Sequence, residues 1–142
     1  MWTGVATNSR ITPTDWASQM ASILLVDDDD LLLAMLSRTL TRAGHQVQVA
    51  FDGDRAIKLY RSRPADLVIT DLVMPEKEGM ELIRELKQFD PDAKIIAVTG
   101  AGGRSLQDYL KMAKALGAHS VLAKPFSESE ILKAVGELLE EK

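Results

Sequence analysis

The chain has 142 residues, 46% of them apolar and 27% charged, which is enough for one domain with a real core. Its formal net charge of −4 argues against nonspecific nucleic-acid binding through a basic surface, and the absence of cysteine excludes disulfides and thiolate metal sites. No run approaches about 18 consecutive apolar residues, so no membrane span is expected, and no basic segment leads into an apolar core as in a signal peptide.

Residues 1–20 are polar, broken by Gly4 and Pro13, and hold no sustained period. They read as a disordered leader, with Met20 as a natural start, or as a short extra helix around Trp16. From Ser22 the pattern changes. Ser22–Val26 is an apolar run without alternation, the mark of a strand covered on both faces. Asp27, Asp28, Asp29 and Asp30 follow it, with Asp30 the expected helix N-cap. Leu32, Leu33, Leu36 and Leu40 then recur at helical spacing, and Gly44 stands where a left-handed cap belongs. Gln46–Phe51 predicts a second strand with Val47 and Val49 on one face, and Asp52 or Asp54 caps a helix carrying Ile57 and Tyr60. Pro64 ends that helix.

Leu67–Thr70 predicts a third buried strand, with Asp71 at its end and Pro75 forbidding its continuation. Met80, Leu82, Ile83 and Leu86 mark a third helix, stopped by Pro91. Lys94–Thr99 predicts the fourth strand, and Gly100, Gly102 and Gly103 a flexible loop without phosphate-loop spacing. Ser105–Asp108 resembles a capping signal for the fourth helix, with Gly117 past its end. Ser120–Ala123 is a short fifth strand, and Ser127 with Glu130 forms a capping box for a last helix carrying Ile131, Leu132, Val135, Leu138 and Leu139.

Strict alternation of strand and helix predicts an α/β fold: a doubly wound, five-stranded parallel sheet with five helices and right-handed crossovers. The common order 2-1-3-4-5 puts the switch point between strands 1 and 3, where such folds bind ligands. Four of the five predicted strands then end in a reactive side chain: Asp27 and Asp28, Asp71, Thr99, and Lys124. Helix N-termini alone would favour acids at Asp27 and Asp28, but that explains neither Asp71 nor Lys124. Carboxylates crowded in a cleft repel, and a hard divalent cation with oxygen ligands relieves the repulsion. With an ammonium and a hydroxyl beside it, the cluster suits a phosphoryl group on or near Asp71, since a carboxylate can itself be the nucleophile. His45 and His119 are isolated and receive no role.

From Ser22 onward the chain resembles the receiver domains of two-component response regulators, with a flavodoxin-like (CheY-like) fold. The resemblance rests on Leu25-Val26-Asp27-Asp28, on Thr70-Asp71-Leu72-Val73-Met74-Pro75 with Gly79, on Ala97-Val98-Thr99, and on Ala123-Lys124-Pro125-Phe126. It implies a receiver domain over residues 21–142 and a phosphorylation switch rather than a dedicated enzyme. Asp71 would be the phosphoacceptor. Asp27, Asp28, Asp71 and the backbone carbonyl of Val73 would hold Mg²⁺, and Thr99 and Lys124 would meet the phosphoryl group. The domain would catalyse its own phosphorylation and dephosphorylation. The resemblance also implies a cis bond at Lys124-Pro125, and a change on the face of the fourth helix, fifth strand and fifth helix. The implied partners are a sensor histidine kinase or phosphotransfer protein and a downstream effector or output domain, in the cytoplasm, with a phosphorylation-dependent dimer as a further state. No nucleic-acid or membrane contact is expected, and no output segment is recognised after the last helix.

Two departures stand out. Val121 occupies the position where many family members carry Tyr or Phe, and the interval from Thr99 to Lys124 is longer than usual. Other classes fit less well. A haloacid-dehalogenase-like phosphatase needs a second acid where Val73 stands, and a flavodoxin-like cofactor site would face four repelling acids. A docking-only receiver would not need the intact acid set. Val73 and Ala101 sit where the family tunes hydrolysis, and neither can orient a water. We therefore expect slow spontaneous dephosphorylation; a phosphate-release time course at fixed Mg²⁺ checks this, and loss within seconds would contradict it.

Overall fold

A computed structural model describes residues 21–72, 79–100 and 103–140. The expectations placed on residues 1–20, on Val73 and Pro75, and on Ala101 lie outside the described residues. In chain order the elements are β1 (Ser22–Val26), α1 (Asp30–Arg42), β2 (Gln46–Ala50), α2 (Gly53–Ser62), β3 (Leu67–Asp71), α3 (Gly79–Phe89), β4 (Ile95–Thr99), α4 (Gly103–Leu116), β5 (Ser120–Ala123) and α5 (Glu128–Glu140). All strand pairs are parallel, in the order β2-β1-β3-β4-β5. The expected topology is therefore the observed one.

The central strands are buried on both sides because each alternate residue enters a different core. Ile23, Leu25, Leu67, Ile69, Ile96 and Val98 pack with Leu33, Leu36 and Leu40 of α1 and with Ile131, Val135 and Leu138 of α5. Leu24, Val26, Val68, Ile95 and Ala97 pack with Ile57 and Tyr60 of α2, Leu82, Ile83 and Leu86 of α3, and Ala113 of α4. Two apolar layers around one sheet explain why these strands read as uninterrupted apolar runs. On edge strand β2, Val47 packs partly against the core but its same-face neighbour Val49 is exposed.

Several boundaries differ from the sequence reading. Asp29, not Asp30, caps α1: its carboxylate accepts from the backbone N–H of Leu31 and Leu32, and Asp30 is the first helical residue. Asp52 rather than Asp54 caps α2, accepting from the Arg55 N–H at 2.8 Å. Helix α4 begins at Gly103, two residues ahead of Ser105, so part of the expected glycine loop is helical. The Ser127–Glu130 capping box forms as read: Ser127 N–H donates to Glu130 Oε1 at 2.9 Å, and Glu130 N–H donates to Ser127 Oγ at 3.1 Å.

Gly44 and Gly117 close α1 and α4 with φ of 100° and 118°, a region that costs any residue with a Cβ. At Gly117 a Cβ would also lie 2.6 Å from Lys87 Cε. Lys87 is not free to move, since its ammonium donates to the carbonyls of Pro91 and Ala93, both at 2.9 Å. Gly136, inside α5, has nothing within 4 Å of where its Cβ would be. The two glycines should therefore respond oppositely. Gly117→Ala should lower unfolding stability by about 1 kcal/mol or more, and Gly136→Ala should raise it by about 0.5–1 kcal/mol. Urea unfolding of the two variants checks both signs.

Candidate functional site

The carboxyl ends of the strands converge because the register is nearly level. Val26 pairs with Thr70, Thr70 with Ala97, and Thr99 with Ala123. The residues just beyond or at these positions therefore share one edge: Asp27, Asp71, Thr99 and Lys124. Asp27, Asp71 and Thr99 are buried, Asp28 is exposed, and Lys124 is half-buried. One carboxylate oxygen from each of Asp27, Asp28 and Asp71 lies within 4.8 Å of the others.

Lys124 closes the cluster. Its Nζ donates to Asp27 Oδ2 at 2.9 Å and stands 3.4 Å from Asp71 Oδ2. Asp27 is thus its near partner, although the resemblance paired Lys124 with the phosphorylated Asp71. The other oxygen of Asp27, Oδ1, accepts the backbone N–H of Asp29 at 2.9 Å. One carboxylate is therefore oriented by its own loop and charge-paired from across the sheet. The Lys124 N–H donates to the Thr99 carbonyl at 2.7 Å, tying the ends of β4 and β5 together. The Lys124-Pro125 bond is cis.

Burial alone would lower the Lys124 pKa. The hydrogen bond to Asp27 and the charges of Asp71 and Asp27 outweigh it, so the net direction is upward from 10.5.

The donor set suits a hard cation. It offers oxygen atoms only, from three carboxylates on two adjacent strand ends, with no sulfur or imidazole. That chemistry fits Mg²⁺ better than zinc or copper. Asp28, being exposed, keeps the cluster open to solvent. The two histidines lie elsewhere and are structural: Nδ1 of His45 accepts from Ala21 N–H at 3.2 Å, and Nδ1 of His119 from Ile95 N–H at 3.3 Å.

All five described candidates, Asp27, Asp28, Asp71, Thr99 and Lys124, come to the one sheet edge; the Val73 carbonyl lies outside the described residues. Two local features escaped sequence reasoning. Neither the hold of the Asp29 amide on Asp27 nor the preference of Lys124 for Asp27 over Asp71 leaves a mark in residue order.

A parallel doubly wound sheet with an acid cluster and an ammonium at its carboxyl edge defines a flavodoxin-like α/β protein whose acid cluster could hold a cation. The family model for the response regulator receiver domain matches residues 23–136, and the chain belongs to that family, the receiver domains of two-component systems. Over 117 residues it is 33% identical to chemotaxis protein CheY of Thermotoga maritima, covering 82% of this chain and 95% of that protein. It is 36% identical over 121 residues to the transcriptional regulatory protein GlrR of Escherichia coli K12, covering 85% of this chain but 27% of that one. The structure of CheY4 from Vibrio cholerae superposes with a TM-score of 0.76 at 30% identity, covering 84% of this chain and 98% of that one. Among the described residues, no helix is long and apolar enough to cross a membrane.

The raised Lys124 pKa fixes the sign of a pH effect. A lysine whose pKa is higher in the folded state stabilises that state at every pH below its ordinary 10.5, and the gain fades as pH climbs through the folded value. Lys124→Met should therefore be less stable than the wild type at neutral pH in metal-free buffer, with the gap narrowing only above pH 10.5. Urea midpoints of both proteins against pH measure this, and a gap already closed at neutral pH would contradict it.

Proposed function

We propose that this receiver domain is a phosphorylation switch in which Asp71 accepts a phosphoryl group from a phosphohistidine. The observation that carries this is the setting of Asp71: buried at the end of β3, with an oxygen within 4.8 Å of those of Asp27 and Asp28, and 3.4 Å from Lys124 Nζ. The Asp71 carboxylate forms the bond to phosphorus as the P–N bond breaks, and the imidazole nitrogen leaves with the electron pair. Little else is needed beyond alignment and charge neutralisation.

Asp27, Asp28 and Asp71, with the Val73 carbonyl, would hold Mg²⁺, which when bound supplies charge neutralisation for the phosphoryl oxygens. Lys124 orients the acids before transfer and pairs with the added charge after it. Thr99 offers a hydroxyl to a phosphoryl oxygen. Lys124 N–H already bonds the Thr99 carbonyl, so displacement of either residue is felt by the other. The gained charge biases an equilibrium between two forms of the domain.

The surface formed by α4, β5 and α5 is the proposed readout. Val121 of β5 is only partly buried against the core, and it is too small for an aromatic swing. The change is therefore carried mainly by the Thr99 end of β4 and by α4. The upstream partner is a sensor histidine kinase or phosphotransfer protein, and the downstream one an effector or output domain. Residues 21–142 act as the receiver.

Acetyl phosphate with Mg²⁺ tests the central step. Intact mass should rise by one phosphoryl group in the wild type and not in Asp71→Asn, which should keep the wild-type circular dichroism. Lys124→Ala should still be modified but should not capture a partner in response. Equal modification of Asp71→Asn would overturn the assignment.

A further inference from the structure

Two groups behind Asp71 have no part in the chemistry above. Thr70 is completely buried, and its Oγ1 donates to the Asp71 backbone carbonyl at 2.9 Å. Gly79, the first residue of α3, comes against the same carbonyl. A Cβ on Gly79 would overlap the Asp71 carbonyl oxygen and stand 2.7 Å from Leu72 Cα and 2.8 Å from the Asp71 carbonyl carbon. Those are backbone atoms, so no flexible side chain can yield. The Gly79 N–H donates to the Leu72 carbonyl at 3.0 Å, and the Leu72 N–H donates to the Val98 carbonyl at 2.9 Å. The peptide leaving Asp71 is therefore held by a hydroxyl, by a close-packed glycine and by the neighbouring strand.

We propose that Thr70 and Gly79 are positioning residues: they fix the Asp71–Leu72 peptide, and through it the direction in which the Asp71 carboxylate is presented to the phosphoryl donor. This rests on the reading of Asp71 as the acceptor. A fully buried strand position facing apolar neighbours would suit valine better than threonine, because an unpaired hydroxyl there is costly. The Thr70 hydroxyl instead bonds the one carbonyl adjoining the reacting side chain. A misplacement on the order of 1 Å at a reacting group can cost about a hundredfold in rate, so a small peptide rotation is enough to matter. Gly79 is needed because the start of α3 approaches too closely to admit any side chain.

The test compares Thr70→Val, Thr70→Ser and Gly79→Ala with wild type. Acetyl phosphate is the donor at saturating Mg²⁺, at a temperature where circular dichroism shows each variant fully folded. In this reaction the Asp71 oxygen–phosphorus bond forms as the phosphorus–oxygen bond to acetate breaks, and acetate leaves with the electron pair. Thr70→Val should slow the saturating rate about tenfold while the half-saturating donor concentration changes less than about twofold. Thr70→Ser should restore most of the rate, and Gly79→Ala should be at least as slow as Thr70→Val. If Gly79→Ala does not fold, the two Thr70 variants decide. A wild-type rate in folded Thr70→Val, or a Thr70→Ser variant as slow as Thr70→Val, would overturn the positioning role. A wild-type chain that takes up no phosphoryl group would overturn the acceptor reading itself, and the positioning role with it.

Discussion

Lys124 Nζ sits between two acids that the sheet has already buried, 2.9 Å from Asp27 and 3.4 Å from Asp71. Buried like charges are costly unless something compensates them. Among the described residues, that compensation includes the ammonium of Lys124, 97 residues along the chain from Asp27. It offsets only part of the charge, because Asp28 adds a third carboxylate at the solvent side. Among the described residues, three carboxylates thus face one ammonium. In the proposed switch a divalent cation would offset that excess and so let an anionic phosphoryl group approach Asp71.

The scaffold serves that edge. Two apolar layers bury β1, β3 and β4 so completely that register slips would expose one core or the other. With register fixed, Asp27, Asp71 and Thr99 can only fall where they do. Helix N-termini are handled separately from the site: Asp29 caps α1, which leaves Asp27 and Asp28 free of that duty. In a run of four successive aspartates, the division of labour is set by backbone direction, with Asp27 turned into the sheet edge and Asp29 turned back onto the helix.

Much of this was legible in the residues. Uninterrupted apolar strands alternating with amphipathic helices determine the architecture, because a strand with no polar face must be covered twice. The acids, hydroxyl and amine at the strand ends were legible for the same reason, since their positions follow from where each apolar run stops. What was not legible depends on side-chain direction. Asp29 and Asp30 are both good caps, and only the backbone turn after Val26 chooses Asp29. The glycines at Gly100 to Gly103 suggested a loop, yet α4 starts at Gly103, since glycine permits helix as well as turn. Thr70 looked like any β-branched strand residue; its hydroxyl matters because of the carbonyl it meets.

The proposed function stands on Asp27, Asp28 and Asp71 acting as one cation-binding unit beside Lys124. The most direct measurement is a Mg²⁺ titration followed by the carboxyl carbon resonances of isotopically labelled aspartates. The signals of Asp27, Asp28 and Asp71 should shift together along a single saturable curve, while those of Asp52, Asp66 and Asp90 stay still. Three unmoved signals, or three separate curves, would contradict a shared site.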